Sequence, residues 1–367
     1  MNQFLTLKPE AFGLDISDLS LKIVKLKKKK NFLSLACFGE TFIKPGIIEQ
    51  GIIKDKKRLS EAIRDALDKV KGEKLKTKYV IASLPEEKAF LQVIQMPKMG
   101  QEELRKAVRF EAENYVPLPL DKVYLGFQVV PPVQNHLDHL DVLIAAFPRK
   151  SVDAYLSVIQ EAGLKPLALE IESQAICRAL IKDGLSVEPL LLVDLGAVRT
   201  SLIIFSGYSL RFTSSLPVSS RNFTQAISQV LKVDFKKAEK LKLKYGLNFG
   251  RENSAKIEKD VFEAIIPALT DLLEQIKKSL IYYQTHASHE HLPPDGKKIK
   301  KIFLCGGGAN LKNLSCFLSQ ELGVSVSRAN PWVNILPDPI KEVPELSYDE
   351  SLKYTTALGL ALRGVNS

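Results

Sequence analysis

Two stretches of this chain, almost two hundred residues apart, open in the same way. Phe12 to Ile16 is an apolar strand carrying Asp15 near its end, followed by a turn, a second strand over Leu21 to Leu26, and a third over Phe32 to Phe38. Leu190-Leu191-Leu192-Val193 runs into Asp194-Leu195-Gly196, and strands over Ser201 to Phe205 and Leu210 to Thr213 follow across a Ser206-Gly207 turn. An internal repeat of strand, carboxylate and turn predicts two similar halves, each built on a sheet whose first strand ends in an aspartate. Few architectures satisfy that constraint.

The rest of the chain is consistent with a protein of several domains. With 367 residues it exceeds one ordinary domain. Its 45% hydrophobic and 26% charged content excludes wholesale disorder and a polytopic membrane protein. No run approaches the roughly 18 apolar residues of a spanning helix, and Met1 to Leu14 has no signal-peptide pattern. The four cysteines, Cys37, Cys177, Cys305 and Cys316, form no C-x-x-C pair, which argues against a disulfide framework and for a reducing cytosol. The net charge of +10 permits contact with nucleic acid or an anionic surface without demanding either. The run Lys27-Lys28-Lys29-Lys30 is expected to break the strand pattern, either as a solvated hairpin tip or as a patch for acidic lipid or a partner.

Between the two halves, residues 85–165 read as an α+β unit of their own, with strands over Ala89 to Met96, Val123 to Val130 and Val142 to Phe147, and helices over Gln101 to Tyr115 and Ser151 to Ala162. In the second half, helices are expected over Asn222 to Val230, Phe235 to Tyr245 and Val261 to Thr285. A buried strand then runs into Gly306-Gly307-Gly308. Three glycines between a strand and a helix let a backbone approach a ligand closely and expose helix N-terminal N–H groups. The run matches neither the G-x-x-x-x-G-K-[ST] nor the G-x-G-x-x-G pattern, so neither a P-loop nor a Rossmann site is indicated.

The aspartates give this loop its meaning. Two strand-end carboxylates facing one cleft can hold a hydrated Mg²⁺, which favours one or two carboxylates plus phosphate oxygens. Lys22, seven residues after Asp15, and Thr200, six after Asp194, are groups suited to phosphate.

On these motifs the chain resembles the superfamily of actin, the heat-shock ATPases and the sugar kinases, and within it the PilM family of type IV pilus assembly proteins. Phe12-Gly13-Leu14-Asp15-Ile16 through Lys22 is similar to the first phosphate loop, and Leu192-Val193-Asp194-Leu195-Gly196 through Thr200 to the second. Ala238-Glu239-Lys240-Leu241-Lys242 resembles the helix that holds adenosine, and Cys305 to Asn310 the adenosine loop. Asn330-Pro331-Trp332 and Ala357 to Arg363 resemble the family's closing stretches.

The resemblance implies an α/β, actin-like ATPase fold of two lobes, each with a mixed five-stranded sheet. Lobe I would comprise 1–84, 166–188 and 346–367, and lobe II 189–222 and 300–345, with a subdomain at 223–299 and the inserted unit at 85–165. It implies ATP and Mg²⁺ as ligands, with Asp15 and Asp194 facing the metal through water. Ser17, Asp18, Lys22, Gly196 and Thr200 would meet phosphates, Glu239 and Lys242 would flank the nucleoside, and Gly306, Gly307, Gly308 and Asn310 would line its other side. Glu172 would orient the attacking water. It further implies a cytoplasmic scaffold at the inner membrane, holding the N-terminal tail of a PilN-like single-pass membrane protein and meeting other platform and motor proteins. Membrane contact would be indirect, and no nucleic acid would be bound.

The chain departs from the family at Ser17, where relatives have Gly, and at Asp18, which would add negative charge where phosphates approach. Pro217-Val218-Ser219-Ser220 stands for an expected Pro-x-Gly-Gly, and Val198 and Arg199 replace small polar residues. These departures make ATP turnover weak or absent. Two alternatives share the fold: an FtsA-like filament protein, disfavoured because the chain ends at Ser367 without a basic amphipathic helix, and a small-molecule kinase, for which no substrate motif is recognisable. His136 and His139, and His286, His289 and His291, have spacing compatible with zinc but lie in polar loops without cysteine partners. Trp332 is either an interface anchor or an aromatic packed beside Pro331.

Overall fold

The computed structural model describes residues 9–30, 32–133, 138–248, 256–286 and 298–366. Its two principal sheets have the same plan. In lobe I the order is Lys165–Ile171, Tyr79–Leu84, Phe12–Ile16, Ser20–Lys29, Phe32–Phe42, with the two-residue Lys71–Gly72 at the edge. In lobe II it is Ser325–Arg328, Lys301–Cys305, Ser186–Leu195, Thr200–Gly207, Ser209–Leu216. Each sheet has a central strand parallel to one neighbour and antiparallel to the other. The central strands are continuous apolar runs because helices cover both faces.

In lobe I the Lys56–Asp68 helix starts where the Asp55 carboxylate accepts the Arg58 N–H at 3.0 Å, a normal N-cap. Its Leu59, Ile63 and Ala66 pack into a core with Phe12, Leu14 and Val80. On the other face the Thr355–Asn366 helix presents Ala357, Leu360 and Ala361, all fully buried. This helix lies directly on the central strand because position 13 is glycine; a Cβ there would strike the Ala357 carbonyl and the Ala361 N–H. Lobe II buries Leu191 and Ile203 from its sheet with Phe223, Ile227, Ile265 and Leu269 from the helices Ser220–Leu231 and Lys256–His286.

The inserted unit has its own three-stranded sheet, ordered Phe90–Pro97, His139–Pro148, Val123–Val130. Leu104 and Val108 of the Gln101–Ala112 helix pack on Ile94, Val142 and Ile144. The unit is narrower than the expected 85–165. The Arg149–Glu161 helix inserts Tyr155, Val158 and Ile159 into the lobe I core, so the unit's own core ends at Pro148. The boundary at 345 also moves: Trp332 and Ile335 pack against Val24, Leu26 and Phe38 of lobe I. Trp332 is therefore a buried core residue.

The lysine run does not break the hairpin. Lys27, Lys28 and Lys29 stay in register opposite Ser34, Leu33 and Phe32, and the chain turns at Lys30. Leu26 buried against Trp332 anchors this extension. All four cysteines are free thiols. Among the described residues no helix is long and apolar enough to cross a membrane, and no cluster of three metal-ligating side chains occurs. His136, His289 and His291 lie outside the described residues. His286 stacks on Tyr282 at 4.3 Å, and His139 contacts Asp138 and Asp141.

Candidate functional site

A cavity of about 530 Å³ opens between the two lobes. Ten of the expected residues line it: Asp15, Ser17, Lys22, Glu172, Asp194, Gly196, Glu239, Lys242, Gly306 and Gly307. The central strand of each sheet delivers its aspartate to this cleft, so the internal repeat places both carboxylates at one site.

Their surroundings differ. Asp15 is buried, receives the Ser83 hydroxyl at 3.2 Å, and pairs with Lys22 at 3.5 Å. The lysine stands directly opposite Asp15 in the antiparallel ladder and also donates to Ser20 Oγ at 2.9 Å. Across the other ladder Asp194 faces Ser201, which carries no charge. Asp194's described polar contact is the Cys305 thiol at 3.8 Å. Burial, then the charge of Asp15, pushes the Asp194 carboxyl up to about 6. Glu172, at the start of the Glu172–Leu180 helix, accepts the Glu86 N–H at 3.3 Å. Burial lifts its proton affinity well above the carboxylate range, helped by Asp15, Glu87 and Asp194. Asp15 and Asp194 thus share the cleft, with the Lys22 ammonium beside the first. Such a donor set fits a hard divalent cation that keeps part of its water shell.

Gly306 has φ +79°, and a Cβ there would collide with the Asp194 carboxylate and the Leu195 carbonyl. The glycine loop therefore needs glycine for backbone approach. Elsewhere in the cavity lining Lys242 is almost fully buried, and burial pulls its ammonium below the usual lysine range. It donates to Ser220 Oγ and Thr224 Oγ1, each at 2.8 Å, and pairs with Glu239 at 2.8 Å.

Four expected residues are placed elsewhere. Asp18 turns from the cleft: its carboxylate accepts the N–H groups of Gln50 at 2.9 Å and Gly51 at 3.0 Å, so it does not repel an incoming phosphate there. Thr200 is fully buried and donates to the Val218 carbonyl at 2.7 Å. Gly308 packs on Leu195 behind the cavity wall. Asn310 holds the Asp349 carbonyl at 2.6 Å and the Arg328 guanidinium at 3.2 Å. In each case a local partner takes the polar group, or the space, that a ligand would need.

Sequence reasoning missed several lining residues. Ser220 and Arg221 begin a helix whose N-terminus opens on the cleft, with the Arg221 guanidinium 4.7 Å from the Phe235 ring centre. The Ser219-Ser220 departure marked this position, but its role depended on the helix start. Lys353 also lines the cleft and pairs with Glu40 at 2.6 Å, a contact between residues 313 apart that no local pattern shows.

A second cavity, of about 610 Å³, lies where the inserted unit meets the lobes. Two sheet edges border it, the Val123–Val130 strand with exposed Tyr124, Phe127 and Val129, and the Lys165–Ile171 strand. In its wall the buried Glu170 pairs with Arg178 and Arg363, each at 2.6 Å.

Two lobes of matching sheets around a carboxylate-lined cleft define an actin-like fold. Solved structures agree: the chain aligns with MreB 5 of Spiroplasma citri bound to AMPPNP over 97% of its length and 96% of that chain, with 13% identity and a TM-score of 0.55. The family description Type IV pilus assembly protein PilM matches residues 13–365, and the chain belongs to that family. It is similar to a solved PilM-PilN type IV pilus biogenesis complex, with 28% identity, 98% and 99% coverage of the two chains and a TM-score of 0.79. Relatives also include the cell division protein FtsA of Enterococcus hirae, 24% identical over 89% of this chain and 80% of that protein. FtsA of Streptococcus pneumoniae is 22% identical over 73% of this chain and 66% of its own length.

Proposed function

We propose that this protein is an ATP-binding scaffold of a type IV pilus assembly platform, holding the cytoplasmic N-terminal tail of a PilN-like membrane protein. The observation that carries the nucleotide part is the pairing of Asp15 and Asp194 in one cleft beneath the Gly306-Gly307 backbone. Asp15 and Asp194 would hold a hydrated Mg²⁺, which would neutralise the phosphates and offset the burial and the Asp15 charge that raise the Asp194 proton affinity. Lys22 and the Gly307 backbone would take phosphate oxygens. Glu239 and Lys242 would border the nucleoside, with Arg221 and Phe235 beside it.

Burial and the neighbouring carboxylates raise the proton affinity of Glu172, which counts against a role in water activation. ATP then acts mainly as a conformational ligand that closes the lobes, with weak turnover.

The groove between the two sheet edges suits an extended peptide. Each edge strand offers backbone groups for pairing, and Tyr124 and Phe127 offer apolar contact. The PilM-PilN complex is the relative that supports this partner.

The test is calorimetric titration with ATP and Mg²⁺, beside Asp194→Ala, followed by titration with a synthetic PilN-type tail beside Phe127→Asp. Micromolar ATP binding lost in Asp194→Ala, and peptide binding lost in Phe127→Asp, are expected. A folded protein that binds neither ligand defeats the proposal. Deleting 85–165 is not a clean alternative, since it removes Tyr155 and Val158 from the lobe I core.

A further inference from the structure

The lobe I sheet ends, opposite the cleft, in an unusual concentration of lysine. Phe12 pairs with Val80, Tyr79 with Lys165, and Gly13 with Val24, so four strands bring these termini to one end of the sheet. The hairpin from Lys25 to Lys30 projects past it. The segment from Lys71 to Lys78 crosses it, held by the Glu73 N–H on the Ala36 carbonyl at 2.9 Å and the Thr77 hydroxyl on the Glu10 carbonyl at 2.6 Å. Two sequence segments and Lys165 thus converge where the sequence showed only one lysine run.

Acidic partners are few. Lys25 pairs with Glu10 at 2.6 Å, Lys27 with Glu73, and Lys29 with Glu342 at 2.5 Å. Lys28, Lys30, Lys74, Lys76 and Lys78 are exposed and form no ion pair with the described residues. A solvated hairpin tip accounts for Lys28 and Lys30 alone. It does not account for the crossing segment, which adds like charge at the same end.

We propose that this lysine-bearing end of lobe I docks on the headgroups of an anionic membrane leaflet. The charges are point-like ammonium groups without the planar guanidinium fork that reads phosphate bidentately, which suits diffuse attraction to a charged surface. The neighbouring rings are already covered, Tyr79 by Lys165 at 5.9 Å and Phe38 by Lys71 at 6.0 Å, so bases have no open aromatic platform. The choice of a membrane among polyanions rests on the reading that the groove's partner is a membrane protein. Tail and lysines together then hold the chain more tightly than either does alone.

The test is co-sedimentation of the full chain with phosphatidylcholine vesicles, with and without about a third phosphatidylglycerol, over a salt series. Binding only to the anionic vesicles, weakened by salt, is expected. K74E/K76E/K78E is expected to lower affinity about a hundredfold, at roughly fivefold per lysine removed. K259E/K277E/K278E changes net charge equally on the long Lys256–His286 helix and is expected to bind nearly as the parent does. Circular dichroism confirms that both variants are folded. Equal binding to neutral vesicles, no binding to anionic ones, or equal loss in both variants overturns the proposal. Tighter binding to random-sequence duplex DNA, with the same loss in K74E/K76E/K78E, replaces the membrane with nucleic acid and also overturns it. Peptide and ATP titrations of the same variant report separately on the groove and the cleft.

Discussion

The two lobes share a backbone plan and differ in the charge placed on it. Each central strand ends in an aspartate, flanked by one parallel and one antiparallel neighbour. In lobe I the residue facing that aspartate is Lys22; in lobe II it is Ser201. Two residues earlier lobe I has Gly13, which lets a helix lie on the strand, and lobe II has Leu192. Lobe I therefore arrives with its carboxylate already compensated. Lobe II holds a buried carboxylate with no facing ammonium, and burial with the Asp15 charge lifts it to about 6. A repeated topology thus yields one aspartate paired with an ammonium and one left without.

The strongest way to break this contrast is Lys22→Met. It leaves Asp15 buried without its cation and is expected to cost about 3–5 kcal/mol, read by urea unfolding. A loss below about 1 kcal/mol would show that the pair compensates nothing. Next, Gly13→Leu imports the lobe II residue into lobe I. The new side chain meets the backbone of the Thr355–Asn366 helix, and a loss of about 3 kcal/mol is expected.

Asp194→Asn is expected to act in the opposite direction, raising stability at neutral pH by about 2 kcal/mol while abolishing Mg²⁺-ATP binding. The sign follows from the lifted proton affinity. With a native value of about 6 against an ordinary 3.8, the folded state binds more protons than the unfolded state within that interval. Stability gained from protonation is complete below the ordinary value and lost as pH rises through about 6. The advantage of Asp194→Asn over the parent should grow across that window and level off above it, as thermal melts at stepped pH would show. A constant difference, or a less stable variant, would end the idea that the second aspartate waits for a cation. The smallest effect is expected from Asp18→Ala. Losing its bonds to Gln50 and Gly51 should cost about 1 kcal/mol and leave ATP affinity nearly unchanged. A marked gain in ATP affinity would return Asp18 to the cleft.

Much of this site was legible before any coordinates. Strand-end aspartates and a glycine run after a buried strand are local signals, as is a helix that falls on Phe235–Tyr245 as expected. Asp18, Thr200 and Asn310 misled because a polar residue near a phosphate-type loop reads the same whether it faces a ligand or satisfies a backbone. Arg221 and Lys353 were invisible because their roles come from where helices begin and from contacts across the chain.

By itself the sequence determined the repeated strand-and-aspartate plan, the family, and the presence of an inserted α+β unit, because hydrophobic periodicity and turn residues act within a few positions. Only the tertiary structure decided which residue faces each aspartate, that the Arg149–Glu161 helix serves lobe I, and that separated lysine segments meet at one end. Register, core sharing and electrostatic neighbourhood are set by which surfaces exclude water from one another, and that sum runs over the whole chain.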